Sequence, residues 1–162
     1  IKEAAKAALD AGIVHYGDFR GTLGFRQALV EKLASFNGLD YGVDEVVVTN
    51  GLTHSSFAAF IAAIDPGDEV VLLEPYYPQH IGKTEMAGGR VVAAKLDAAN
   101  NFAIDRAAIE AVLTPSTRMI VLVNPANPTG RVYTREELQI VADIAIEHDL
   151  WVLSDEAYCE MR

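Results

Sequence analysis

The sequence contains almost no cysteine. Cys159 is the only one in 162 residues, which excludes a disulfide bond within the chain. Such sparse use of cysteine is typical of proteins in the reducing cytoplasm, and we expect this protein to be cytoplasmic. Because no histidine lies near it in the sequence, we interpret Cys159 as a small packing residue rather than a nucleophile.

Basic residues and long apolar segments are also scarce. Lysine and arginine total 13 against 23 acidic residues, and the net charge of −10 argues against nucleic acid or an anionic membrane as a partner. The longest apolar run, residues 57–64, is far shorter than the roughly 20 residues that a membrane-spanning helix needs. No apolar secretory signal opens the sequence, because Lys2 and Glu3 begin a polar helix.

Hydrophobic residues are plentiful, and they alternate between two patterns. They make up 51% of the chain, enough for the core of one domain. Short β-branched or apolar runs predict strands at 45–49, 69–73, 90–96, 118–124 and 150–154. Helical patterns are predicted at 2–10, 22–37, 53–64, 79–87, 105–113 and 134–148, and residues 134–137 form a capping box that opens the last of these helices. We therefore predict an α/β three-layer sandwich with a mainly parallel, incomplete sheet, formed by residues 13–162 after an N-terminal helix in residues 1–12.

Parallel sheets bind ligands at the carboxyl ends of their strands, and two of these ends carry ligand-binding signals. The turn Asn50-Gly51-Leu52-Thr53 leads into a helix, whose free N–H groups and dipole suit a phosphate group. An ordinary glycine turn before a threonine cap is the alternative. Tyr76 and Tyr77 stand between two prolines, so a ring could stack on a flat heteroaromatic ligand or simply pack at the surface.

The sharpest signals follow the last two predicted strands. Two Asn-Pro steps and a glycine within residues 124–130 require an irregular turn, but a plain turn does not explain Asn127, whose amide can donate and accept. Asp155 leaves an apolar strand partly desolvated and therefore needs a cationic or hydrogen-bonding partner, such as a pyridinium N–H. Tyr158 lies three residues further on and could donate to a phenolate oxygen of the same ring.

This ordered set of motifs resembles the large domain of class I/II aminotransferases, which are pyridoxal-phosphate enzymes of fold type I. The resemblance extends over residues 13–162 and includes Asp65-Pro66-Gly67-Asp68 and the pair Tyr16 and Gly21. It implies that pyridoxal 5'-phosphate is the cofactor and that no metal is needed. Asp155 would bind the pyridine nitrogen and keep it protonated.

The resemblance assigns the remaining contacts in the same way. Asn127 and Tyr158 would bind the ring O3′, with Asn127 also touching the substrate carboxylate, and Tyr77 would stack on the ring face. The backbone and side chain of the turn would bind the cofactor phosphate through Gly51, Leu52 and Thr53. His80 would support Asp155 from behind, and Tyr16 would reach the phosphate of the neighbouring subunit in a homodimer.

The sequence departs from the family pattern at one essential point. Family members carry a Ser-x-x-Lys segment after the Asp-x-x-Tyr motif, and its lysine forms the Schiff base with the cofactor, whereas Lys95 is the last lysine here. We therefore expect a partial large domain, inactive alone, of an enzyme that uses an amino acid and a 2-oxo acid. A Cα lyase or synthase on the same fold, or a non-catalytic domain, are the alternatives, and the particular substrate is left open.

Overall fold

The computed structural model describes residues 1–161, which form two compact units. The first is Ile1–Gly51 and the second is the described part of Leu52–Arg162. Among these residues, no helix combines the length and the apolar character needed to cross a membrane.

The first unit is helical. Helix α1 spans Lys2–Asp10, and helix α2 spans Leu23–Lys32 and continues into a wider π-helical turn at Leu33–Asn37. Arg26 of α2 is buried, and its guanidinium donates to the Asp18 carboxylate at 3.1 Å and to the Val43 carbonyl at 2.9 Å. These bonds attach both flanking loops to the helix.

The strand predicted at 45–49 is wrong for the described residues. Val43–Glu45 forms a 3₁₀ turn, and the following residues are extended but not paired in a sheet. Val48 instead donates its N–H to the Arg20 carbonyl at 2.8 Å. β-branched residues favour extended backbone, but a strand also requires a partner, and the sequence pattern does not show whether one is available.

The second unit contains a four-stranded parallel sheet with the order β2-β1-β3-β4, so the α/β prediction is confirmed. The strands are β1 at Glu69–Glu74, β2 at Arg90–Lys95, β3 at Thr117–Val123 and β4 at Trp151–Asp155. The helices are α3 at Leu52–Ala63, α4 at Gln79–Met86, α5 at Arg106–Glu110 and α6 at Arg135–Glu147.

The helices begin where their sequences indicate. The Asp105 carboxylate caps α5 by accepting from the Ala107 N–H at 3.0 Å. Thr134 and Glu137 form the predicted capping box at the start of α6, in which each side chain accepts from the backbone N–H of the other.

Successive residues of the central strands contribute to opposite faces of the sheet, and each face has its own core. Val70 and Leu72 of β1 pack with Phe60 of α3 on one face. Val71 and Leu73 pack on the other face in a cluster that includes residues of α5 and α6. This arrangement is the three-layer sandwich expected when strands are apolar on both sides, and it fixes the carboxyl ends of β1, β3 and β4 next to one another.

Candidate functional site

Asp155 is the last residue of β4 and the most deeply buried carboxylate at this edge of the sheet, with 4% of its surface exposed. Its Oδ1 accepts a hydrogen bond from the Ala157 N–H at 3.2 Å. Its Oδ2 lies 3.3 Å from Nε2 of His80. An ionised carboxylate is costly to bury without such partners, so these contacts explain how the strand can end in an aspartate.

The electrostatics of Asp155 favour the ionised form. Burial alone would raise the pKa of the carboxyl group, but the contact with His80, the Ala157 N–H and the charge of Lys83 outweigh it, and the pKa is lowered overall. At neutral pH the site therefore presents a fixed negative charge with little access to water.

His80 is completely buried between two aromatic rings. Its ring stacks on Phe60, with centroids 6.0 Å apart, and meets the edge of Tyr77 at 5.8 Å. Neither ring nitrogen completes a well-aligned hydrogen bond within the described residues, so the approach of Nε2 to Asp155 is a loose polar contact. The structure thus places His80 in contact with both Tyr77 and Asp155, while the cofactor-site roles that the resemblance implies for these residues remain predictions.

Asn127 and Tyr158 meet across the ends of β3 and β4. The Asn127 Nδ2 donates to the Tyr158 hydroxyl at 3.1 Å, although 31 residues separate them. Both side chains line a cavity of about 380 Å³ together with Pro128, Gly130 and Val132. A polar pair at the mouth of an otherwise apolar cavity suits a flat ligand that carries one hydrogen-bonding edge.

The turn that carries Asn127 is held by the backbone. Ala126 donates its N–H to the Arg131 carbonyl at 2.7 Å and accepts from the Gly130 N–H at 2.8 Å. Gly130 has a φ of +71°, which glycine adopts without strain, and the Asn124–Pro125 and Asn127–Pro128 peptide bonds are cis. The two backbone hydrogen bonds of Ala126 therefore fix the direction in which the Asn127 amide leaves the sheet.

The predicted phosphate-binding residues divide between the two units. Leu52 and Thr53 form the first turn of α3, where backbone N–H groups have no acceptor within the helix. The Thr53 hydroxyl donates to the Gln79 side chain at 3.3 Å. Gly51 ends the first unit with a φ of +79°, and Tyr16 in that unit is fully exposed. The roles predicted for all four in binding a phosphate remain predictions.

The sequence pattern did not identify Lys83 and Ser56 as residues of the site. Lys83 of α4 is buried, and its Nζ donates to the Ser56 hydroxyl of α3 at 2.7 Å. Ser56 and Asp155 line a second cavity, of about 180 Å³. The available signal was the position of Lys83 one helical turn after His80, which places the two side chains on the same face of α4.

These groups fit a nitrogen heterocycle better than a metal. A buried, ionised acceptor lies at the end of β4, and a pair of hydrogen-bonding groups lies between β3 and β4. The N-terminus of α3, which is able to bind an anion, begins at Leu52, which lines the same cavity as Asp155. Among the described residues, no group of three or more histidine, cysteine, aspartate or glutamate side chains could hold a metal ion. Pyridoxal 5'-phosphate combines a basic ring nitrogen, a phenolic oxygen and a phosphate, and each has a suitable group here.

Comparison with known proteins gives a consistent picture. The family described as aminotransferase class I and II matches residues 1–161. The chain is 39% identical to the aspartate/prephenate aminotransferase of Thermus thermophilus over 98% of its own length and 41% of that protein. It is 35% identical to aromatic-amino-acid aminotransferase 2 of Thermococcus litoralis, with the same two coverages.

Solved structures agree with these sequence matches. An alanine aminotransferase from Pyrococcus furiosus superposes with a TM-score of 0.93 at 36% identity, over 97% of this chain and 40% of that one. A mutant of Thermus thermophilus aspartate aminotransferase gives a TM-score of 0.92 at 39% identity, over 96% and 41%. The chain thus spans about two fifths of the length of the proteins it matches.

Proposed function

Because this chain belongs to the aminotransferase class I and II family, we propose that it forms the cofactor-binding part of a pyridoxal-phosphate-dependent aminotransferase. The reaction moves an amino group between an amino acid and a 2-oxo acid. The observation that carries the proposal is the ionised Asp155 at the end of β4, next to the hydrogen-bonded pair of Asn127 and Tyr158.

Each part of the cofactor has a residue to hold it. Asp155 would accept a hydrogen bond from the protonated ring nitrogen, and Asn127 and Tyr158 would bind the phenolic oxygen. Tyr77 would cover one ring face, and the turn at Gly51, Leu52 and Thr53 would bind the phosphate. When bound, the cofactor supplies an electron sink that stabilises negative charge at the substrate Cα.

The residues of this chain prepare that chemistry and do not perform the proton transfers at carbon. The carboxylate of Asp155 holds a proton on the ring nitrogen, which it does only while it is itself ionised. The Tyr158 hydroxyl and the Asn127 amide orient the ring and keep its phenolic edge hydrogen-bonded. No lysine follows Lys95 in residues 1–162, and we assign no step at the substrate carbon to any lysine of this chain.

Two further parts of the proposal concern substrate and assembly. The relatives are named for aspartate, prephenate, aromatic amino acids and alanine, so their names do not favour one side chain for this protein. Tyr16 would bind the phosphate of the adjacent subunit, which requires a homodimer. Its full exposure leaves the phenol available for such a contact.

Cofactor content and activity of the full-length protein test this function. We expect the purified protein to retain pyridoxal phosphate and to transfer amino groups from aspartate, phenylalanine or alanine to 2-oxoglutarate. Asp155→Ala should lose most of the cofactor and at least about thirtyfold in turnover, since truncating one partner of a buried charge pair costs roughly 2–5 kcal/mol. Asp40→Ala, at an exposed aspartate, is the matched control. Near-normal turnover in Asp155→Ala would refute the assignment.

A further inference from the structure

Lys83 is a buried lysine in a protein of strongly negative charge. Only 6% of its surface is exposed, whereas lysine side chains normally extend into water. Its Nζ donates to the Ser56 hydroxyl at 2.7 Å, and the Ser56 hydroxyl donates onward to the Leu52 carbonyl at 2.7 Å. A hydroxyl alone does not compensate a buried ammonium group, so a negative charge is needed nearby.

Asp155 supplies that charge. Ser56, the direct partner of Lys83, lines the same cavity of about 180 Å³ as Asp155. Burial lowers the pKa of the Lys83 amino group, and the charge of Asp155 opposes that effect. The effect is reciprocal, because the charge of Lys83 is one of the influences that lower the pKa of the Asp155 carboxyl.

We propose that Lys83 is a positioning residue for the cofactor site, which presents its positive charge to Asp155 from the face of α4 that also carries His80 and helps to keep that carboxylate ionised. Lys83 acts through Asp155 and touches neither substrate nor cofactor. The inference rests on the proposed function, because it assigns Asp155 the role of acceptor for the ring nitrogen.

Few other groups around Asp155 could keep its carboxylate ionised. From α4 two side chains act on it, His80 through the contact at 3.3 Å and Lys83 through its charge. Helix α3 contributes the uncharged Ser56 to the shared cavity, and the backbone N–H of Ala157 completes the contacts. Loss of the Lys83 charge is therefore expected to raise the pKa of Asp155.

The fold itself does not require a charge at position 83. If Lys83 were replaced by methionine, Ser56 would keep its hydrogen bond to the Leu52 carbonyl. Methionine has a similar length and adapts to irregular packing. Replacing a buried charged group by an apolar one of similar volume is often neutral or stabilising. If Lys83 only packs in the fold, Lys83→Met should bind the cofactor as the wild type does. If Lys83 helps to keep Asp155 ionised, Lys83→Met should lose cofactor affinity at a higher pH.

The test measures cofactor affinity rather than activity. Apoprotein of the full-length enzyme is titrated with pyridoxal phosphate between pH 3 and 8, a range that extends to the acid side where Asp155 takes up its proton, for wild type, Lys83→Met, Lys83→Arg and the control Lys95→Met, at an exposed lysine. Protonated Asp155 cannot accept the hydrogen bond, so affinity falls on the acid side. In Lys83→Met this fall should move to higher pH by roughly one unit, while Lys83→Arg and Lys95→Met follow the wild type.

Every outcome of this experiment discriminates. A wild-type profile in Lys83→Met overturns the inference, and so does tighter binding, which would mean that Lys83 repels the protonated ring. If Lys83→Met does not fold, Lys83→Gln is used, which retains a hydrogen bond to Ser56 without the charge and should show the same shift. If the wild-type protein does not bind pyridoxal phosphate, the proposed function fails as well, whereas normal wild-type binding with unshifted variants overturns this inference alone.

Discussion

Replacing His80 by phenylalanine tests how Asp155 is kept ionised. The ring of His80 packs against Phe60 and Tyr77 with no exposed surface, so a phenyl ring can occupy the same space. The substitution removes only the polar contact between Nε2 and Oδ2 of Asp155, at 3.3 Å. We therefore expect His80→Phe to fold with an unchanged thermal midpoint but to lose its affinity for the cofactor at a higher pH than the wild type does.

The size of the effect follows from the geometry of the contact. A hydrogen bond to a charged group contributes about 1.5–3 kcal/mol. Because the contact between His80 and Asp155 is long and poorly aligned, the lower value applies, and it corresponds to about one pH unit. Loss of the contact raises the pKa of Asp155, so the carboxylate becomes protonated at higher pH and cofactor affinity is lost at higher pH.

The assay is the pH dependence of the pyridoxal phosphate dissociation constant in the full-length protein. Combining His80→Phe with Lys83→Met extends it, since both residues act on the same carboxylate. The pH profile of cofactor affinity should move further in the double variant than in either single variant. The size of the additional shift measures how strongly His80 and Lys83 are coupled in their effect on Asp155. An unshifted His80→Phe profile in a folded protein would refute the reasoning, because Asp155 would then be ionised without help from His80.

Three further substitutions test the fold and the hydrogen bond between Asn127 and Tyr158. Thr134→Ala removes the α6 cap and should lower the free energy of unfolding by about 1 kcal/mol in urea titrations, whereas Thr134→Ser should not. Gly21→Ala should destabilise the protein by more than 1 kcal/mol, because φ is +97° and a Cβ would lie 2.6 Å from Val48; an unchanged urea midpoint would contradict this. Tyr158→Phe should weaken cofactor affinity by roughly fivefold, since Asn127 loses a hydrogen bond worth about 1 kcal/mol. Unchanged affinity in direct titration would remove Tyr158 from the site.

The strands and helices with a regular hydrophobic pattern could be predicted from the sequence because neighbouring residues determine them. The apolar run of β3 and the Thr134 capping box predicted elements that the structure confirms. The strand at 45–49 failed for a non-local reason, since its β-branched residues favour extended backbone without specifying a partner strand.

The candidate site also has a part that the sequence pattern predicts and a part that depends on how distant elements pack. Asn127 and Tyr158 were predicted to converge because each follows a strand of one parallel sheet, and their hydrogen bond confirms the proximity. Lys83 was missed because its burial depends on the packing of α3 against α4. Its spacing from His80 places both side chains on one face of α4 but does not show that this face is buried. All the cofactor contacts that the resemblance implies, including those of Asn127 and Tyr158, remain predictions.

The most direct test of the central claim is the protonation state of the cofactor nitrogen. The full-length protein is loaded with pyridoxal phosphate labelled with ¹⁵N in the ring, and the nitrogen chemical shift is recorded from pH 6 to 9. We expect a protonated ring nitrogen throughout this range in the wild type and an unprotonated one in Asp155→Ala. An unprotonated nitrogen in the wild type, or a protonated one that persists in Asp155→Ala, would contradict the role of Asp155.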